Sequence, residues 1–182
     1  MKSLVTLVLI AMLAFSGQSL ANDNKLPKTV IHPSGLTFQL CSQQTITKAF
    51  FFDVVHVGLY YPSCPEKMTV FNDDSKLLRF HYLRKVTGKQ FKKGAEEYLT
   101  YNLNKHQHDK CFSRYKDIND SYLDVDDGDY YDLFQIENKG LDLFLNEKSI
   151  SVFKNKECES LYFNIWFGKK SMSTGFKKLL SQ

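Results

Sequence analysis

Several signatures of chemistry are missing from this sequence. It has no Gly-rich phosphate loop and no Gly-x-Ser-x-Gly elbow, so neither a P-loop nucleotide site nor a hydrolase serine of that kind is supported. It has no Cys-x-x-Cys, which removes the redox and zinc arrangements built on that pair. No repeat and no low-complexity segment interrupts it. The formal net charge is only +4, too mild to imply a nucleic-acid partner. The N-terminal apolar run, Leu4 to Phe15, falls short of the ~20 residues that span a bilayer. No cysteine follows Ala21, so that site offers no lipid attachment.

What is present argues for one packed domain. The chain has 182 residues, 43% of them hydrophobic, with 15 Phe and 10 Tyr. That is enough apolar surface for a real core and too much for disorder. Aromatic richness also suits a greasy pocket, although packing alone explains it. Lys2, the Leu4–Phe15 run and Ser19-Leu20-Ala21 have the order of a signal peptide with a small-residue cleavage site. The expected division is a signal peptide over 1–21, a flexible leader over 22–34 and a domain over 35–182. An exported chain would reside in the periplasm, with no stable membrane insertion after cleavage.

The four cysteines, Cys41, Cys64, Cys111 and Cys158, are even in number, which in an exported chain predicts two disulfides. Three pairings are possible. If Leu36–Cys41 and the following strand form a hairpin, Cys41 sits at its turn and Cys64 at its far end. A disulfide needs Cα atoms ~5.5 Å apart, so Cys41 is expected to pair with Cys111 or Cys158.

The densest apolar stretch is Phe50 to Tyr61, in which only Asp53 and His56 are polar. Its β-branched and aromatic content predicts a strand covered on both faces, with Phe50, Phe52, Val54 and Tyr60 on one side and Phe51, Val55, Val57, Leu59 and Tyr61 on the other. Gly58 is the expected bend or bulge. Ser42–Lys48 reads as a polar lead into it. Leu78, Phe80 and Tyr82 alternate with Arg79 and His81, the pattern of a half-buried strand. Thr87-x-x-Gln90 is a capping box, and Phe91, Ala95, Tyr98, Leu99, Asn102 and Leu103 recur at helical spacing behind it. Asn104–Asp129 is polar. Two hairpins follow, turning at Asn138-Lys139-Gly140 and near Glu147-Lys148. A helix over about 158–167 is expected to end at Gly168 as C′ residue, and Ser173 to cap a last short helix.

Three constellations invite a chemical reading and resist it. His106-Gln107-His108 with Cys111 could ligate a metal, but no second ligand cluster of known spacing accompanies it. Asp124–Asp129 resembles a calcium loop, yet with Gly128 at the sixth position Leu123 would stand first and Phe134 twelfth. It reads as an acidic turn. Asp53 and His56 are an odd spacing apart, so on a strand they face opposite ways and cannot form an acid–base pair. No cofactor is called for.

Three stretches together resemble the chalcone isomerase-like family: the Gly58-Leu59-Tyr60 end of the long strand, Arg84–Phe91 at the helix entry, and Leu145–Lys148 followed by Ile165-Trp166-Phe167-Gly168. The resemblance implies an α+β fold, an open-faced β-sandwich with a large, mostly antiparallel sheet and helices layered on it. It implies a cleft between that sheet and the Phe91 helix. The plant enzymes of the family close chalcones to flavanones, related plant proteins bind fatty acids, and many bacterial exported members lack established catalysis. The enzymes use an arginine before the central strand, a threonine in it, a tyrosine and an asparagine on the long helix, and a hydroxyl residue on the C-terminal helix. Those positions fall here on Gln43 or Thr47, on Val55, on Phe91 and Tyr98, and near Ile165. None keeps the family's residue type. The resemblance therefore implies a binding protein for a small hydrophobic ligand, an acyl chain or an aromatic ring, at Gln43, Thr47, Val55, Phe91, Tyr98 and Ile165. The alternatives are an isomerase with a rearranged site, in which Arg79 or Arg84 supplies a charge, and an interaction module whose own aromatics fill the cleft.

Overall fold

A computed structural model describes residues 26–48 and 52–181. The expected signal peptide, the first residues of the leader, and Phe50 and Phe51 of the long strand lie outside the described residues. Seven strands form one sheet in chain order, each antiparallel to its neighbour. They are β1 (Thr29–Ile31), β2 (Thr37–Lys48), β3 (Phe52–Tyr61), β4 (Lys76–Tyr82), β5 (Tyr130–Ile136), β6 (Gly140–Leu145) and β7 (Lys148–Phe153). The helices are α1 (Gly88–Asn102), α2 (Lys105–Cys111), α3 (Lys116–Asp120), α4 (Asn164–Phe167) and α5 (Thr174–Lys178), with 3₁₀ turns at Phe112–Tyr115 and Ser160–Phe163. This is the expected α+β architecture.

Strand alternation divides the interior into two layers. Val55, Val57, Leu59 and Tyr61 of β3 and Leu78, Phe80 and Tyr82 of β4 face the helices, in the larger core. Tyr60, Leu77 and Phe134 face the other way and join Val30, Phe38 and Phe144 in a second, smaller one. β3 is thus buried on both faces, as its composition requires.

The strand ends differ from expectation, and the differences have one cause. β2 runs to Lys48, because Ser42–Lys48 is itself amphipathic: Ser42 and Ile46 are buried while Gln43, Thr45 and Thr47 are exposed. The pairing of β2 with β3 therefore extends to Lys48 opposite Phe52, and Cys41 sits near the other end of the pair, where Gln39 faces Tyr61. Cys64 lies just beyond β3, and the two cysteines pair at a Cα separation of 5.5 Å. The expected pairing of Cys41 with Cys111 or Cys158 is overturned; those two bond to each other. The bulges fall at Cys41 on β2 and at Val54 on β3, the extra residues between matched pairs. Gly58 carries none. A Cβ there would lie 2.6 Å from the Tyr60 ring and 2.8 Å from Leu26, so it is a close-packing glycine.

Three further segments depart from the sequence reading. Thr29–Ile31 of the expected flexible leader pairs with β2, and His32 is buried against Phe134 and Phe144 with its Nε2 3.1 Å from Asp142. The polar middle is helical: α2 opens on a second capping box, Asn104 with Gln107, of the same kind as Thr87 with Gln90. Gly168 is extended, at φ −64 and ψ 177, instead of left-handed. It is glycine because a Cβ would strike Asn102 at 2.3 Å. Asn102 uses that space to donate to the carbonyls of Asn164 and Lys170 and to accept from the Lys170 amide, tying the end of α1 to α4.

Lys76 is fully buried. Its ammonium donates to the Asn72 carbonyl at 2.8 Å and to Gln135 Oε1 at 3.3 Å. Burial lowers its pKa from 10.5 to about 8. Between those values the unfolded chain binds more protons than the native one, so this residue's contribution to stability rises with pH across that window. In urea unfolding at pH 7 and pH 10, wild type should gain roughly 2–3 kcal/mol relative to Lys76→Met. An unchanged gap between the two proteins would refute the assignment.

Candidate ligand cavity

A cavity of about 400 Å³ lies between the helix-covered face of the sheet and α1, α4 and α5, within the range of small-molecule sites. Phe80 and Tyr82 of β4 with Tyr131 and Leu133 of β5 form its floor, and Phe91, Gly94, Ala95 and Tyr98 of α1 its roof. Ile165 and Trp166 of α4 close one end, and Met172, 40% exposed, stands at the rim. No charged side chain among the described residues lines it.

The roof is placed by local chemistry. The Thr87–Gln90 capping box starts α1, and Asp124 of the acidic turn accepts from the Gly88 amide at 2.8 Å. The carboxylate suits the positive end of the helix dipole, so the turn that resembled a calcium loop serves as a helix cap. Phe91 then packs edge-on against Tyr82 and Tyr131, at centroid distances of 5.3 and 5.4 Å. Between Phe91 and Tyr98 the helix presents only Gly94 and Ala95, and there the roof stands off the floor.

Five of the six positions expected from the resemblance meet at this cavity: Thr47, Val55, Phe91, Tyr98 and Ile165. Gln43 does not; it is exposed on β2 opposite Gly58. Val54 also lines the cavity, although alternation assigned it to the other face, because the bulge brings it round beside Val55. Tyr82 and Tyr131 were missed as wall residues. The Leu78-Phe80-Tyr82 alternation carried the signal for Tyr82.

Most wall polar groups are committed to the fold. The Tyr131 hydroxyl donates to the Leu123 carbonyl and accepts from its amide. Tyr122 is 3.2 Å from the Tyr162 hydroxyl, which donates to Asn119. The Gln90 side-chain oxygen accepts from the Thr87 amide, Ser173 Oγ accepts from Gly175, and Thr47 donates to Asp53. Burial pushes the Tyr131 phenol up to about 12 and raises the Tyr82 and Tyr122 phenols well above the usual tyrosine range, so all three stay neutral. Arg79 cannot reach the cavity. It lies on the opposite face, gripped by both oxygens of Asp132 at 2.6 and 2.5 Å and stacked on Tyr130. Arg84 is exposed and does not line the cavity either.

The family model for chalcone isomerase-like proteins matches residues 24–180. The chain belongs to the chalcone isomerase-like family. Among solved structures it is similar to a fatty-acid binding protein of Arabidopsis thaliana, at 11% identity and a TM-score of 0.58, over 84% of this chain and 95% of that one. That likeness is one of fold. None of the curated proteins matches its sequence. The other two clusters recede: Cys111 is spent in a disulfide and His108 stacks on Phe112 at 4.3 Å, while Asp53 and His56 bond separately to Thr47 and Thr45.

Two glycines of α1 test the roof. A Cβ on Gly94 would meet only the flexible tip of Met172, at 3.1 Å, whereas one on Gly88 would strike the Tyr122 carbonyl at 2.3 Å. Gly94→Ala should stabilise by about 0.5–1 kcal/mol through helix propensity. Gly88→Ala should destabilise by about 1–3 kcal/mol through backbone displacement. Equal effects in denaturant titrations would contradict this placement of α1.

Proposed function

We propose that this chalcone isomerase-like protein is an exported, periplasmic, non-catalytic binding protein for a small hydrophobic ligand, an acyl chain or aromatic ring held between the sheet and α1. The observation that carries the reading is a cavity of about 400 Å³ walled by aromatic and aliphatic side chains, with no charged group among the described residues that line it. Such a lining recovers apolar surface area from water and gives little else. The open volume argues against a cleft filled by its own aromatics. The similar plant structure is of a fatty-acid binding protein, which is in keeping with an apolar guest.

Catalysis of the isomerase type would need donors aimed at the oxygen on which negative charge develops, and losing one such donor typically costs ~10²–10³ in rate. Val55, Phe91 and Ile165 have no side-chain donor, which leaves the wall's neutral donors, Tyr82, Tyr98 and Trp166, without the permanent positive charge that the enzymes place at their site. Thr47, at the rim, spends its proton on Asp53. The arginine that could substitute from β4 is clamped on the opposite face. Export rests on the N-terminal pattern of Lys2, an apolar run and Ser19-Leu20-Ala21.

Native mass spectrometry of protein purified from its own periplasm should show a chain beginning at Asn22 and carrying a noncovalent hydrophobic adduct. Ala95→Phe, which fills the space under α1, should lose the adduct while remaining folded. A chain that keeps Met1 in its own host would overturn export, and an adduct that survives Ala95→Phe would overturn the site. Added to a chalcone, the protein should leave the spontaneous cyclisation rate and the racemic product unchanged. Fast turnover to one enantiomer would overturn the non-catalytic reading.

A further inference from the structure

Three donors on the cavity wall, the Tyr82 and Tyr98 hydroxyls and the Trp166 indole N–H, have no hydrogen-bond partner among the described residues, and of these Tyr82 belongs to the floor, on β4. The Tyr82 hydroxyl meets no hydrogen-bond partner among the described residues, although Tyr82 is only 7% exposed. Nor is it sealed in: the sealed, unpartnered side-chain atoms among the described residues are Asn72 Oδ1 and His81 Nδ1. Tyr82 is one of the residues that line the cavity. Its aromatic neighbours fix the ring, with Phe91 at 5.3 Å and Tyr131 at 6.1 Å. The neighbouring phenols differ from it, since Tyr131 is bonded to Leu123 and Tyr122 lies against Tyr162. A buried donor is ordinarily satisfied, and one left open toward a cavity calls for a partner from outside the chain.

We propose that Tyr82 is the polar anchor of this cavity, donating its hydroxyl proton in a hydrogen bond to the uncharged carbonyl or ether oxygen of an otherwise apolar ligand. The inference rests on the ligand-binding reading above and narrows it to neutral guests. A carboxylate placed there would be buried with no cation among the described lining residues, and an unpaired buried anion is far costlier than a neutral acceptor. The phenol stays protonated, because burial raises its pKa well above 10, and so remains a donor. The same residue explains how a mostly apolar cavity could orient its guest: one fixed donor on the floor.

The test uses N-phenyl-1-naphthylamine, a neutral fluorescent probe, displaced at pH 7.5 by 2-undecanone, undecane or undecanoic acid. Wild type should bind the ketone about 5–10-fold more tightly than the alkane, the worth of one net hydrogen bond, and more tightly than the acid. Tyr82→Phe should bind ketone and alkane alike, while Tyr98→Phe keeps the preference. The ketone carbonyl stretch should fall to lower frequency on binding to wild type, a readout that needs no variant. Tyr82→Phe should melt at or above the wild-type temperature, because it removes a donor that the unliganded fold does not use. Failure of the probe to bind wild type would remove the ligand-binding reading itself. Probe binding with no ketone preference, a preference that survives Tyr82→Phe, tighter binding of the acid, or a marked loss of stability in Tyr82→Phe would each overturn the anchor while leaving that reading in place.

Discussion

The packing of Phe91 against Tyr82 and Tyr131 holds the rest of the site in place. Tyr122 completes the group, its ring centroid 5.5 Å from both Phe91 and Tyr131. These four rings come from the strand before α1, from α1 itself, from the segment after α3 and from β5. Tilted and edge-on rings interlock better than aliphatic chains of similar area, so the contact sets the height of α1 above the sheet at one end. At the other end Asn102 sets it, through its bonds to the residues around α4. With both ends held, the small residues between them cannot draw the helix down. The cavity follows from that pinning, much as a void persists when its surroundings cannot relax into it.

The two faces of the sheet divide the chemistry. Arg79, Asp132, His32 and Asp142 belong to the face away from α1, where Arg79 pairs with Asp132 and His32 with Asp142. The helix-covered face receives aliphatic and aromatic residues from the same strands. Alternation along β4 alone makes the division: Leu78, Phe80 and Tyr82 point one way, Leu77 and Arg79 the other. To bring a guanidinium to the cavity, the strand would have to slip by one residue, which would turn Leu78, Phe80 and Tyr82 to the opposite face. The neutrality of the cavity is thus a property of register.

Much of this was legible in the sequence because the signals were local. The Thr87–Gln90 box placed α1, and the apolar run placed β3 at the centre. The resemblance brought five positions to one cavity. What stayed hidden depended on partners. Ser42–Lys48 looks polar because only Ile46 on its inward side is strongly apolar, so the true length of β2 shows only when β3 lies beside it. From that one misjudged strand end followed the wrong place for the turn and the wrong partner for Cys41. The bulge at Val54 is similarly a property of the β2–β3 pair, and it alone decides whether Val54 or Val55 or both reach the cavity. Gly58 and Gly168 were recognisable as special, but glycine marks a close approach and a turn with the same letter, and here both mark close approaches.

A preformed cavity is a packing defect, and the fold must be stable around it. Interiors are otherwise packed as densely as organic crystals, and lining atoms without neighbours forgo their dispersion contacts. The compensation lies away from the defect. Cys41–Cys64 closes a loop across one end of the β2–β3 hairpin, and Cys111–Cys158 joins the end of α2 to the segment leading into α4. Loops of those lengths correspond to about 3–4 kcal/mol each on the chain-entropy account. The second core beneath β1 buries a further apolar layer on the face away from α1. None of the four cysteines lines the cavity, so the crosslinks leave the walls free of covalent constraint and act on the unfolded chain. That separation lets the wall residues be chosen for a guest instead of for packing, which is why Tyr82 can keep a hydroxyl that the empty fold does not use.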